Sequence, residues 1–147
     1  MVTHLFGGKM KAFKIDHIGV AVKSAEEASK IFKDVLNLEV EEEVLEDRKL
    51  KVAMVMVGDS RVELLEDMDE NGTISKFIEK RGEGLHHMAL EVDDIYKSVE
   101  RLKAEGYRII SEPAPGAGGT IVAFVHPKDV HGILLELVER RQNNGQK

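Results

Sequence analysis

The feature that most constrains this chain is a self-similarity at a spacing of about 70 residues. His17 and His87 are 70 apart, the candidate helix caps Ser24 and Asp94 are 70 apart, and the candidate helix stops Asn37 and Gly106 are 69 apart. Residue identity is thin: a gap-free overlay of these segments matches only His17/His87, Val22/Val92 and Lys33/Lys103. The repeat lives in pattern and spacing, as expected of a duplicated supersecondary unit whose two copies bury their apolar faces in related ways.

Each copy reads as βαβββ. In the first, Asp16 to Val22 alternates with period two, so Ile18, Val20 and Val22 share one strand face and His17, Gly19 and Ala21 the other. Ser24 with Glu27 forms a capping box, Ala28, Ile31, Phe32, Val35 and Leu36 follow at helical spacing, and Asn37 supplies a left-handed stop before Leu38 to Val44 resumes a strand. The apolar runs Lys51 to Val57 and Arg61 to Leu65 are joined through Gly58-Asp59-Ser60, a hairpin composition. In the second copy His87 to Val92 repeats the alternation, and Asp94 caps a helix whose stripe is Ile95, Val99 and Leu102. Gly106 closes that helix, and strands are expected from Tyr107 to Ser111, Thr120 to His126 and Ile133 to Val138. Pro113, Pro115 and the Gly116 to Gly119 run are expected to break the chain between the first two of these.

The modules therefore span 13–66 and 84–139, within one α+β domain of 13–139. The connector, 67–83, carries a short amphipathic helix on Ile74, Phe77 and Ile78 that ends near Gly82. Residues 1–12, which include His4, and 140–147 lack periodicity and are expected to be loosely ordered tails.

Composition removes whole classes of function. Of 147 residues none is Cys, which excludes disulfides, thiolate nucleophiles, iron–sulfur clusters and Cys-type zinc sites, so any metal must sit on His and carboxylate. Twenty-one Lys and Arg against 27 Asp and Glu leave a net charge of -6, which opposes a polyanion and argues against nucleic acid. No apolar run approaches the roughly 20 residues that cross a bilayer, and the opening segment lacks the apolar stretch of a signal peptide. The expectation is a cytoplasmic protein with no membrane partner.

The chemistry concentrates on four residues. His17 and His87 take equivalent places on the first strand of each module, opposite the bulky aliphatic face and beside small neighbours, Gly19 and Ala21 in one case and Ala89 in the other. Small residues beside a polar one suggest room for something larger than water. The last strand of each module adds a carboxylate inside an apolar run, Glu63 and Glu136, 73 residues apart. A Glu flanked by aliphatics either faces solvent from a half-exposed sheet or, if turned inward, needs a cation as partner. Two equivalent histidines favour the inward reading. His17, Glu63, His87 and Glu136 are then two imidazoles and two carboxylates able to neutralise a divalent ion, and four ligands on an octahedral ion leave two positions open.

Two βαβββ units with such ligands on their first and last strands resemble the vicinal oxygen chelate superfamily, which includes glyoxalase I, extradiol dioxygenases and methylmalonyl-CoA epimerase. The stretches DHIGVAV, GDSRVELLE, ISKFIEKRGEGLHHMALEVDDI and EPAPGAGGTIVAFVHPKDVHGILLELVE are similar to methylmalonyl-CoA epimerases over about residues 14 to 139. The resemblance implies a curved mixed sheet around a metal-binding cleft, and a metal-dependent epimerisation of methylmalonyl-CoA at C2 through a metal-stabilised enolate. Cobalt is the foremost metal, with nickel, manganese, zinc or iron as the other candidates. It further implies that Glu136 and Glu63 serve as the acid/base pair as well as ligands, that apolar Val52 stands where a second acid would be sought, and that the chain forms a homodimer. Lys76, Lys80, Arg81 and Lys128 are candidates for anchoring the phosphates of a CoA thioester. His86 is expected to be a structural hydrogen-bonding residue, and His126 and His131 to lie at the mouth or on the surface. The alternatives are a glyoxalase I-type lyase, also called lactoylglutathione lyase, and a non-catalytic binding protein of the same fold.

Overall fold

The fold is described by a computed structural model in which residues 11–141 are placed. Among them are eight strands and three α-helices, and the chain divides into two compact units. One is residues 17–87. The other holds the described residues up to Asp16 together with those from Met88 onward. The division falls inside two strands, β1 (Ala12–Ala21) and β5 (Gly84–Val92), rather than in a loop.

In the unit 17–87, β1 leads into α1 (Ala25–Lys30), then β2 (Val40–Leu45), β3 (Leu50–Val57), β4 (Ser60–Asp67) and α2 (Thr73–Arg81). The strand order is β2-β3-β4-β1, with β1 parallel to β4 and the other pairs antiparallel, so the sheet is mixed. Val57 pairs with Ser60, which leaves Gly58 and Asp59 as a two-residue turn with Gly58 at φ 59°. Helices cover both faces. On one, Val22, Ala25, Ala53, Val55 and Leu64 are buried with Ala28 and Phe32 of the first helical segment packed against them. On the other, Ala21, Val52 and Leu65 are buried with Ile74, and Phe77 and Ile78 of α2 join them. Each such aliphatic side chain contributes on the order of 1.5–3 kcal/mol when fully buried. His17 and Gly19 share the strand face of Ala21, so they lie on the side that α2 covers.

The second unit continues β5 into α3 (Ile95–Ala104), β6 (Ile109–Pro115), β7 (Thr120–Val125) and β8 (Leu134–Arg140). Its order is β5-β8-β7-β6. Val92, Ile95, Val99, Ala123 and Leu137 form its core, and Leu102 packs against them, so the expected stripe of α3 is the one that is buried. Arg140 closes on Asp16 with Nε at 3.2 Å and Nη2 at 2.8 Å from Oδ1, and Asp16 is 1% exposed. Its burial is tolerable because the bound guanidinium replaces water around the carboxylate.

The helix N-termini are clamped alike. Ser24 Oγ accepts from Glu27 N at 3.1 Å and Asp94 Oδ1 from Lys97 N at 3.0 Å. Each helix also receives a glutamate from the last strand of its repeat: Glu66 accepts from Ala25 N at 3.0 Å and Glu139 from Ile95 N at 2.9 Å. These carboxylates satisfy N–H groups that have no partner inside the helix and complement its positive end.

Three expectations needed correcting. The apolar stripe from Ala28 to Leu36 is not one α-helix: α1 stops at Lys30, and Ile31–Val35 is a π-helical turn in which Leu36 N donates to Ile31 O at 3.0 Å. That wider turn leaves Ile31, Val35 and Leu36 exposed. Asn37 then takes φ 58°, the expected left-handed stop. Second, Pro113 and Pro115 do not break the strand. They lie in β6, which ends the order of its unit and pairs with β7 through two register shifts; Pro113 falls within the second shift, and Pro115 is the last residue of the strand, opposite Ile121. Third, β1 begins at Ala12 and β8 ends at Arg140, one residue beyond each expected bound. Of the expected tails, 1–10 with His4 and 142–147 lie outside the described residues.

Candidate metal centre

The second strand position of interest, His87, enters through β5 and meets His17 of β1. Their Nε2 atoms are 3.1 Å apart and the rings stand at 87° with centroids 5.1 Å apart. Gly19 makes this approach possible, since a Cβ there would run into the His87 imidazole. His17 is buried and His87 half-buried. A lone hydrogen bond accounts for 3.1 Å, and so does a shared ion: two nitrogens at right angles on an ion with metal–nitrogen bonds of about 2.0–2.1 Å lie about 3 Å apart. The spacing of the pair therefore suits a shared divalent cation.

Behind each ring, on the nitrogen away from that meeting point, stands a further polar group. Glu63 Oε2 is 3.8 Å from His17 Nδ1. His86 Nδ1 is 2.9 Å from His87 Nδ1. Glu63 lies on β4 opposite Gly19 of β1 and Met54 of β3, which puts it on the His17 face of the sheet. Its Oε2 also accepts from Arg61 Nε at 3.2 Å and Nη2 at 3.0 Å. In this geometry the Glu63 carboxylate is shared between a guanidinium and the outer nitrogen of His17. Glu136, the repeat counterpart, is buried on β8 in register with Phe124 of β7.

Two participants were not read from the sequence in these roles. Arg61 pairs with Glu63 because residues two apart on a strand share a face, so the spacing itself carried the signal. His86 was read as a structural hydrogen-bonding residue, and its partner proves to be the adjacent histidine. It packs edge-on against Phe77 of α2, centroids 4.9 Å apart, and Arg81 Cζ lies over that ring at 5.7 Å from its centroid. Burial pushes the His86 imidazole below its ordinary value, with Asp67 opposing more weakly.

The remaining candidates take modest places. Val52 is buried in the apolar cluster with Ala21, Leu65 and Ile74. Lys76, Lys80, Arg81 and Lys128 are exposed. His126 caps a 3-10 turn by accepting from Lys128 N at 3.1 Å, and His131 follows that turn at φ 57°. A cavity of about 350 Å³ lies among Val22, Lys23, Glu66, Asp67, Ser75 and Glu79, and its acidic wall suits no phosphate. Among the described residues no helix is long and apolar enough to cross a membrane.

Comparison with known proteins bears on this geometry. Residues 16–124 match the Glyoxalase/Bleomycin resistance protein/Dioxygenase superfamily. A mitochondrial methylmalonyl-CoA epimerase of Dictyostelium discoideum is 36% identical over 137 residues, 90% of this chain and 82% of that one. An ethylmalonyl-CoA/methylmalonyl-CoA epimerase of Cereibacter sphaeroides is 36% identical over 128 residues, 84% of this chain and 96% of that one. A solved methylmalonyl-CoA epimerase in complex with methylmalonyl-CoA and NH4+ superposes with a TM-score of 0.79 at 32% identity, covering 88% of this chain and 96% of that chain.

Proposed function

From the premise that the chain belongs to the Glyoxalase/Bleomycin resistance protein/Dioxygenase superfamily, we propose that it is a methylmalonyl-CoA epimerase that inverts C2 of its substrate by proton removal and return. The observation that carries this reading is the pair of imidazole nitrogens held 3.1 Å apart, each ring with a polar group behind it, in a chain whose relatives bear that name.

His17 and His87 would hold a divalent ion through Nε2, with Glu136, buried on the strand that repeats β4, and Glu63 as the carboxylate ligands; Glu63 stands on the Nδ1 side of His17 and would have to turn to the Nε2 side to join them. Cobalt is the first choice of metal. A divalent ion supplies positive charge where negative charge grows on the substrate oxygens, the largest single contribution in many such reactions. The protein's own part is the proton. A carboxylate takes the C2 proton, the electron pair of the broken C–H bond delocalises into the thioester, and a carboxylic acid returns a proton to the other face. Glu136 and Glu63 are assigned these roles. For Glu63 to act, its oxygen must leave Arg61. Lys76, Lys80 and Arg81 on the exposed side of α2, and Lys128, are offered to the CoA phosphates, and the enzyme is taken to work as a cytoplasmic homodimer.

The test is isotope exchange. Incubated with methylmalonyl-CoA in deuterated water, the protein should exchange C2 hydrogen, and chelator should abolish the exchange while circular dichroism stays unchanged. Turnover of a glutathione hemithioacetal without C2 exchange would replace the epimerase by the lyase, and no turnover of either would leave a binding protein.

A further inference from the structure

In the unit 17–87, the sheet face that carries His17 is laid out in rows across β1, β4 and β3. Ala21, Leu65 and Val52 stand in one row, Gly19, Glu63 and Met54 in the next, and His17, Arg61 and Met56 in the third. The first row is buried, with Ile74, Phe77 and Ile78 of α2 on its cluster. In the second, Glu63 and Met54 are only partly buried, so the cover thins where the carboxylate begins. Glu63 has a different neighbour on each flank. Towards β1 stands Gly19, which brings no side chain and whose place is filled by the His87 imidazole. Towards β3 stands Met54, directly across an antiparallel ladder where paired Cα atoms lie about 4.5–5.5 Å apart, and it rests on the cluster of Ala21, Val52, Leu65 and Ile74. The other repeat keeps the arrangement: Phe124 of β7, partly buried and 70 residues after Met54, is paired with Glu136.

We propose that Met54 is a specificity-determining residue for the substituent at C2: the alkyl group packs on its thioether, and the bulk at this position sets which 2-alkylmalonyl thioesters turn over. The inference rests on the epimerase reading above and adds the substrate class to it. A carbon in reach of Glu63 carries, besides its hydrogen, a thioester, a carboxylate and one alkyl group, and the alkyl group gains from leaving water only where it meets an apolar wall. Among the described residues that border Glu63 in this unit, Arg61 and the His87 imidazole are polar, and Leu65 is closed off under α2. Met54 is apolar and open to a ligand. Its chain is unbranched, with a polarisable sulfur and three rotatable bonds, so it can shift to take one carbon more or less. The wild type should therefore accept an ethyl group at C2 as well as a methyl.

A pair of substrates reads this directly. Enzymatic deuterium exchange at C2 is measured for methylmalonyl-CoA and ethylmalonyl-CoA on one preparation of each protein, so that differences in folding or metal content cancel in the ratio of the two kcat/KM values. Met54→Ala should raise the ethyl-to-methyl ratio by about 10-fold, and Met54→Phe should lower it by about the same factor, the lower end of what one methylene commands in an apolar pocket. Met56→Ala removes the same thioether one row away, opposite Arg61, and should leave the ratio where it is. A ratio unmoved in both Met54 variants, or moved as far by Met56→Ala, overturns the assignment while the epimerase reading stands. A wild type that exchanges neither substrate defeats the epimerase reading and takes this inference with it.

Discussion

The two sequence repeats are built on one plan and diverge at the chemistry. Both clamp a helix N-terminus between a cap residue, Ser24 or Asp94, and a glutamate from the last strand, Glu66 or Glu139. Both start with a histidine strand. But Gly19 in the first has Ala89 as its counterpart, Arg61 has Leu134, and the residue before the histidine is Asp16 in one copy and His86 in the other. Asp16 is locked to Arg140 and His86 to His87. The frame is conserved between copies where it holds helices to sheet. It differs around the shared histidines and glutamates, at Gly19/Ala89, Arg61/Leu134 and Asp16/His86, as expected if duplication supplied the scaffold and later substitution made the site asymmetric.

The sharpest way to break that asymmetry is to compare the two carboxylates. Glu136→Gln keeps an oxygen and the shape but loses the base, so C2 exchange should fall by about 10²- to 10⁴-fold with metal content largely retained. Glu63→Gln should be milder, because Arg61 already occupies that carboxylate. Equal losses would mean that the copies contribute alike. Next in size is Gly19→Ala, which drives a methyl into the His87 ring; about 1–3 kcal/mol of stability should be lost on overpacking, read by chemical denaturation, together with weakened metal binding. The reverse change on the other strand, Ala89→Gly, should leave metal affinity intact.

The shared frame predicts symmetry where the site predicts difference. Glu66→Gln and Glu139→Gln each weaken a charge-assisted cap and should each cost about 1 kcal/mol in denaturant unfolding, with no change in metal affinity. The smallest effect concerns a pair on the surface of the second unit. Arg108 donates from its backbone N and its guanidinium to Asp129, and holds that carboxyl down at about 2 from an ordinary 3.8. A lowered folded value means stability present above pH 3.8 and lost as pH falls through about 2. The melting temperature of wild type should exceed that of Asp129→Asn above pH 3.8, and the difference should shrink to nothing below pH 2. A difference independent of pH would trace to packing instead.

Much of this could be read from the chain because the signals were local. Alternation of Ile18, Val20 and Val22 against His17, Gly19 and Ala21 fixes a strand and its faces, and Ser24, Asp94, Asn37 and Gly106 mark where helices begin and end. The strand through Pro113 and Pro115 was not legible, since whether proline ends a strand depends on which neighbour its nitrogen faces, and that is a matter of tertiary pairing. The roles of Glu66 and Glu139 are of the same kind: each acts 41 and 44 positions away from its partner, a distance no window of sequence spans. At the candidate site the residue types were legible and the pairing was not. Nothing in GLHHMAL says that the first imidazole turns towards the second, or that Arg61 holds Glu63.

The π-helical turn at Ile31–Val35 explains a detail of the repeat arithmetic. Ser24 and Asn37 are 13 positions apart while Asp94 and Gly106 are 12 apart, and a π turn is one residue longer than the α turn it replaces. The first copy therefore carries an insertion, or the second a deletion, that the helix end absorbs as a local bulge before the chain re-enters the sheet. Nothing downstream is thrown out of step: Asn37 and Gly106 both turn the chain at positive φ, and β4 keeps the register that sets Glu63 opposite Gly19. Change in chain length is thereby confined to an exposed turn, and the lineage could vary there without disturbing a single residue of the histidine face.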